Sequence, residues 1–128
     1  MRLLLDTHAL LWWANDDPQL SRTARSHIQN SANRVFVSAV SAWEIAVKFK
    51  NGRLPSVQKL ITRLPDYLQE QSFDSLSISL QHALGAGLLQ GPHRDPFDRM
   101  LIAQAIAENL SIISNDQALD GYGATRVW

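Results

Sequence analysis

Leu3-Leu4-Leu5-Asp6-Thr7-His8 is the most informative segment of the sequence, because an apolar run stops abruptly at an acid. Asp6 and His8 interrupt the run and no small-residue cleavage site follows, which argues against a signal peptide. Residues 3–5 therefore predict a short buried strand. The helix-compatible segment from His8 to Ala14 predicts a helix directly after it.

The same alternation of strand and helix continues along the chain. Further strands are predicted at residues 35–37, 76–78, 110–114 and 124–127, with helices at 21–29, 42–49, 55–64, 81–89 and 96–109. Pro55 is expected to open the third of these helices and Pro65 to end it. Because parallel strands need crossover connections, this order predicts an α/β/α sandwich around a mainly parallel sheet of four or five strands.

Length and composition predict one domain over residues 1–128. The chain is 45% hydrophobic, which suffices for a core, and its formal net charge is zero, which excludes the strongly basic surface of a sequence-blind nucleic-acid binder. There are no cysteines, so disulfides and thiolate zinc sites are excluded. No stretch approaches the roughly 18 apolar residues of a membrane helix, and we expect a soluble, cytoplasmic protein without membrane contact.

Four acids are placed to share a site. Asp6 ends the first strand, Glu44 lies in the first turn of the helix after the second, Asp98 lies in the first turn of the helix opened by Asp95-Pro96, and Asp116 follows the last well-marked strand. In open parallel sheets, ligands bind outside the carboxyl ends of the strands. The acids are therefore predicted to point to one rim.

Each acid alone also has a structural explanation. Ser41 and Glu44 have the spacing of a capping box. Asp95 is a good N-cap, so Asp98 would only complement the helix dipole. The other two acids are placed to cap the helices that follow them.

Capping does not account for the repulsion among carboxylates gathered at one rim. A divalent cation would offset it, and oxygen ligands without suitably spaced His or Cys favour Mg²⁺ or Mn²⁺. Such an ion equips a site for phosphodiester hydrolysis. The predicted roles are metal ligation by Asp6 and Asp98, ligation or water orientation by Glu44, and completion of the site by Asp116.

Four segments together resemble the motifs of PIN-domain ribonucleases, in particular VapC-type toxins of toxin–antitoxin pairs. They are Leu3-Leu4-Leu5-Asp6-Thr7-His8, Val37-Ser38-Ala39-Val40-Ser41-Ala42-Trp43-Glu44-Ile45, Asp95-Pro96-Phe97-Asp98-Arg99-Met100-Leu101-Ile102-Ala103-Gln104 and Ile112-Ile113-Ser114-Asn115-Asp116. The resemblance spans almost the entire chain. It implies metal-dependent endoribonuclease activity on RNA, a homodimer and a cognate antitoxin that inserts a segment near the acids.

By the same resemblance, Thr7, Ser38 and Ser114 supply supporting hydroxyls around the four acids. Asp95 is assigned a supporting place, because Asp98 matches the third acid of the family. Arg99 is expected either to pair with Asp98 or to contact phosphate or an antitoxin carboxylate.

Lys48 and Arg94 are candidate RNA contacts. Lys48 belongs to a locally basic segment that is also compatible with a solvated helix face, and it can form an ordinary ion pair with Glu44 four residues earlier. His93 and Arg94 precede the Asp98 helix and are placed to reach substrate. Trp43 is expected in the core.

Two other functions remain open at this point. A haloacid-dehalogenase-like phosphohydrolase also begins with an aspartate after its first strand, but it needs a second aspartate two residues later, where this chain has His8. A catalytically silent PIN-fold module would bind RNA or protein only. The complete set of acids argues against it.

Overall fold

Five parallel strands form the central sheet of the computed structural model, which describes residues 1–53 and 57–128. The strands are β1 (Arg2–Leu5), β2 (Arg34–Ser38), β3 (Asp74–Leu76), β4 (Ser111–Ile113) and β5 (Arg126–Val127). Their order across the sheet is β3-β2-β1-β4-β5, and every neighbouring pair is parallel. The predicted parallel sheet is confirmed.

Seven helices connect these strands within the described residues. They are α1 (Thr7–Ala14), α2 (Arg22–Gln29), α3 (Ala39–Lys50), α4 (Gln58–Thr62), α5 (Leu64–Glu70), α6 (Leu80–Leu88) and α7 (Pro96–Glu108). A 3-10 turn (Gln117–Leu119) follows β4. In this part of the chain, no helix has the length and apolar content needed to cross a bilayer.

The apolar side chains of β1 pack on both faces of the sheet. Leu3 and Leu5 pack into a cluster with residues of α1, α2 and α5, whereas Leu4 packs on the other face with Leu101 and Ile102 of α7. Alternate strand residues point to opposite faces, so a continuous run is needed when helices cover both. This arrangement is the predicted α/β/α sandwich.

The prediction for the segment before β3 was wrong. Pro65 lies in the first turn of α5 instead of ending a helix, because proline is tolerated where the backbone N–H has no helical partner. The predicted start at Pro55 lies outside the described residues. The strand itself covers Asp74–Leu76, two residues earlier than predicted, directly after the buried Phe73.

Trp43 was also wrongly expected in the core. Its side chain lies on the outer side of α3 with an exposed fraction of 58%. The indole packs edge-on against Phe97 of α7, with ring centroids 5.0 Å apart. Trp12 and Trp13 are the partly buried tryptophans of α1.

Candidate active site

The rim at the carboxyl ends of β1, β2 and β4 carries the candidate site. These three strands run in parallel register and end level with one another. Asp6, Ser38 and Ser114 stand at those ends. The Asp6 N–H donates to the Ile113 carbonyl at 3.1 Å, which ties the first acid to the end of β4.

Asp6 is a buried carboxyl, with an exposed fraction of only 6%. It caps α1, because its Oδ1 accepts the Ala9 N–H at 2.7 Å. Burial raises the pKa of Asp6, the hydrogen bond from the Ser114 side chain opposes this rise, and the nearby charge of Glu44 adds to it. An ionised Asp6 is therefore costly unless a cation is near.

The capping-box interpretation of Glu44 was wrong. Helix α3 begins at Ala39, and its N-cap is Ser38, whose Oγ accepts the Val40 N–H at 3.0 Å. Glu44 is thus in the second turn of α3, not the first, and its side chain cannot cap the helix start. The error arose because Ser38 and Ser41 both precede sequence that is compatible with a helix, so either could be the N-cap.

Inside α3, Glu44 is held by two donors instead. The Thr7 hydroxyl lies 2.6 Å from Oε1 and the Lys48 Nζ lies 2.5 Å from Oε2, while the side chain is 5% exposed. The ion pair expected between Glu44 and Lys48 is present. Ser41 Oγ lies 3.1 Å from Thr7 Oγ1 and extends this buried hydroxyl group.

Asp98 lies in the first turn of α7, and Asp95 caps that helix, as predicted. Asp95 Oδ1 accepts the backbone N–H groups of Phe97 at 2.9 Å and Asp98 at 3.4 Å. His93 Nε2 lies 2.8 Å from Asp98 Oδ2. Burial raises the pKa of Asp98 to about 6, the contact with His93 opposes the rise, and the charges of Asp95 and Glu44 add to it.

Asp116 approaches this pair from the segment after β4. Its N–H donates to Ser114 Oγ at 3.0 Å, and its Oδ1 accepts the Ala118 N–H at 2.9 Å. Ligand atoms of His93, Asp98 and Asp116 all lie within 4.8 Å of one another. Asp6 and Glu44 lie outside this tight group, although the charge of Glu44 acts on both Asp6 and Asp98.

Two residues predicted to support the acids do so indirectly. Ser38 donates to Gln104 Oε1 at 2.5 Å and so joins α3 to α7 beneath the rim. Arg99 forms neither the expected ion pair nor any other contact with Asp98 among the described hydrogen bonds. Its guanidinium donates to the carbonyl groups of His93, at 2.9 Å, and Leu89. It holds the loop before α7.

His93 was expected only to reach substrate, and the sequence did not predict its contact with Asp98. It lies five residues before Asp98, outside α7, so helical spacing gives no indication that the two side chains meet. The available signal was Gly91-Pro92, a turn that folds the chain back toward the helix start. Arg94 is exposed beside it.

The donor set fits a hard divalent cation. Asp98 and Asp116 lie close together, the charge of Glu44 acts on both Asp6 and Asp98, and burial disfavours the charge on Asp6 and Asp98. Three ligand atoms already lie within a span that one ion can bridge. The donors are oxygens with one imidazole nitrogen, which suits Mg²⁺ or, better, Mn²⁺.

Comparisons with known proteins agree with this fold. The PIN domain family model matches residues 3–124. A Mycobacterium tuberculosis protein named Ribonuclease VapC22 is 26% identical over 132 residues, covering 98% of each chain. Ribonuclease VapC16 from the same organism is 33% identical over 58 residues, which cover 45% of this chain and 41% of that protein.

Solved structures share the architecture along the full length of the chain. VapBC2 from Rickettsia felis, bound to a fragment of its promoter DNA, superimposes with a TM-score of 0.75 at 16% identity, covering 99% and 98% of the two chains. A toxin–antitoxin complex from Klebsiella pneumoniae gives a TM-score of 0.68 at 20% identity, covering 98% and 96%. Because the family model spans nearly the whole sequence and these structures share its sheet and helices, the chain belongs to the PIN-domain family.

Proposed function

We propose that this chain is a magnesium- or manganese-dependent endoribonuclease that hydrolyses RNA phosphodiester bonds, with residues 1–128 acting as one PIN domain. The carrying observation is that Asp98 of α7 and Asp116 of the segment after β4 lie within 4.8 Å of each other, while the charge of Glu44 acts on both Asp6 and Asp98. The relative named Ribonuclease VapC22 supports RNA as the substrate. Zero net charge means that RNA must be held by a local surface.

Each of the four acids has a proposed role in holding the ion or its water. Asp6 and Asp98 hold the ion, Glu44 holds it or orients a water, and Asp116 completes the site. When bound, a divalent ion positions a phosphate, lowers the pKa of a bound water and stabilises charge on the leaving oxygen. Buried carboxylates with raised pKa values favour such an ion, because it compensates their charge.

The surrounding residues keep these acids in place. Thr7 fixes one oxygen of Glu44, and Ser114 contacts both the Asp6 side chain and the Asp116 backbone. Lys48 already lies at the rim and is our candidate for contact with an RNA phosphate, together with the exposed Arg94.

The test is cleavage of RNA by the purified protein. We expect cleavage with Mg²⁺ or Mn²⁺, none with chelator, and a loss of at least 100-fold in Asp6→Asn and Asp98→Asn, which keep the shape but remove a ligand charge. The matched control is Asp66→Asn, which neutralises an exposed acid on α5. Equal cleavage by the rim variants and wild type would overturn the proposal.

We further propose that the enzyme is a toxin neutralised by a cognate antitoxin in the cytoplasm. Support comes from structural neighbours that are toxin–antitoxin complexes. Expression should arrest growth, and co-expression of the protein encoded by a neighbouring short reading frame should restore it. Arrest by Asp98→Asn at wild-type strength would separate toxicity from nuclease activity and refute the link.

We also propose a homodimer that uses α6. Leu80, Leu84 and Leu88 follow one another every four residues and are 86%, 66% and 77% exposed. We call these three residues the leucine face. Together they expose on the order of 400 Å² of apolar surface, comparable to the largest patch on a typical monomer and about half of what one partner buries in a standard interface.

A further inference from the structure

We propose that His93 is a nitrogen ligand of the divalent ion, joining Asp98 and Asp116, and that it gives the site a preference for Mn²⁺ over Mg²⁺. This inference rests on the metal dependence proposed above and specifies how the ion is held. The three residues come from the loop before α7, from α7 and from the segment after β4, so the fold brings Asp116 to a pair formed by a local turn.

The distances match the edges of a coordination polyhedron. Ligands about 2.1 Å from an octahedral ion are roughly 3 Å apart when adjacent and roughly 4.2 Å apart when opposite. His93 Nε2 and Asp98 Oδ2 are 2.8 Å apart, and the full set with Asp116 fits within 4.8 Å. Small side-chain movements would place all three on one ion.

The backbone of His93 is fixed by one residue distant in sequence and by one residue of α7. The Tyr122 hydroxyl accepts the His93 N–H at 2.8 Å, and Arg99 donates to the His93 carbonyl at 2.9 Å. Tyr122 can approach because position 91 is a glycine with φ +138°, where an added Cβ would lie 2.3 Å from the Tyr122 ring. A histidine that only contacted water would not require these two backbone hydrogen bonds.

The chemistry of the donors sets the metal preference. Mg²⁺ favours oxygen ligands and gives up its waters reluctantly, whereas imidazole binds transition-metal ions more readily. The imidazole therefore adds more affinity for Mn²⁺ than for Mg²⁺. We expect His93→Gln to weaken Mn²⁺ binding about tenfold or more and Mg²⁺ binding much less.

The decisive experiment is pulsed electron paramagnetic resonance of Mn²⁺ bound to the full chain without RNA. We expect modulation from a directly coordinated ¹⁴N nucleus, replaced by a ¹⁵N pattern when the protein carries ¹⁵N-histidine. His93→Gln should abolish it. The matched control is His8→Gln, an exposed histidine two residues after Asp6, which should retain it.

The other possible results distinguish the role of His93 from the nuclease proposal. Tight Mn²⁺ binding without nitrogen coupling, or coupling that persists in His93→Gln, overturns the role of His93 and leaves the nuclease proposal standing. Failure of the wild type to bind Mn²⁺ overturns both. The labelled wild-type protein shows by itself whether a histidine binds the ion, and comparison of His93→Gln with His8→Gln identifies which one.

Discussion

The hydroxyl of Thr7, the first residue of α1, donates to Oε1 of Glu44 in the second turn of α3 at 2.6 Å. Both residues are buried, with exposed fractions of 4% each. The contact joins the segments after β1 and β2 and fixes the carboxylate oxygen that Lys48 does not bind. A residue assigned only a supporting place thus holds one of the four acids.

Replacing Thr7 by valine should destabilise the protein. The substitution keeps the shape but removes the donor, and a buried acceptor left unpaired costs about 1 to 3 kcal/mol. We expect that loss in the free energy of unfolding measured with urea, and reduced RNA cleavage. Thr7→Ser retains the hydroxyl and should recover most of both; a Thr7→Val variant as stable as wild type would show that the bond contributes nothing.

Neutralising Asp98 should stabilise the metal-free protein while abolishing cleavage. Its pKa is raised from 3.8 to about 6 in the folded state, so between those values the folded protein binds more protons than the unfolded chain. Stability from this group is fully present below pH 3.8 and is lost as pH rises through 6. Asp98→Asn should therefore gain on the order of 2 kcal/mol at pH 7.

Urea unfolding in chelator at pH 5 and pH 7 measures this effect. The gain from Asp98→Asn should shrink as the pH falls, because the wild-type carboxyl becomes protonated and its charge no longer opposes folding. Asp66→Asn serves as control, since that acid is exposed and should yield no gain at either pH. An Asp98→Asn variant less stable than wild type at pH 7 would contradict the argument.

The sheet was predictable because its signals are local. The run before Asp6 and the strand at 35–37 are short, apolar and followed by helical composition, and such alternation leaves few topologies other than a parallel sheet. The prediction for the segment before β3 was wrong because proline occurs both after the end of a helix and in its first turn. At Pro65 the sequence alone favoured the wrong choice.

Strand ends and local helix signals predicted part of the site, and the contacts between distant segments were not predictable. Residues that follow parallel strands meet at one rim, so Asp6 and Asp116 could be placed from their positions in sequence. Helical spacing also predicted the ion pair of Glu44 with Lys48, but the other partners of Glu44 and Asp98 depend on how helices and loops pack. Neither the Thr7 bond nor the approach of His93 follows from spacing.

Lys48 should compete with a metal ion for the negative charge of Glu44. Lys48→Met keeps the aliphatic stem but leaves a 5% exposed carboxylate without its cation. In chelator we expect the melting temperature to fall by several degrees. Saturating Mn²⁺ should then raise it more than in wild type, because the ion meets a less compensated charge.

Differential scanning calorimetry with and without Mn²⁺ tests this competition. Lys50→Met is the matched control, because Lys50 is exposed at the last residue of α3, two residues further along the helix. It should leave both the chelated melting temperature and the metal-induced rise near wild type. If Mn²⁺ raises the melting temperature equally in all three proteins, the charge of Lys48 does not affect metal binding.

A charge in the leucine face should separate the proposed dimer into monomers without unfolding them. Leu84 is the central residue of the face and is 66% exposed, so Leu84→Lys removes little from the core but places an ammonium where two apolar surfaces would meet. Light scattering after gel filtration should give 28.6 kDa for wild type, twice the chain mass of 14.3 kDa, and 14.3 kDa for the variant.

Thr23→Lys, an equally charged change on the exposed side of α2, should leave the dimer intact. A Leu84→Lys protein that remains dimeric would move the interface away from α6, and a monomeric wild type would leave the face to be covered by a partner of another kind.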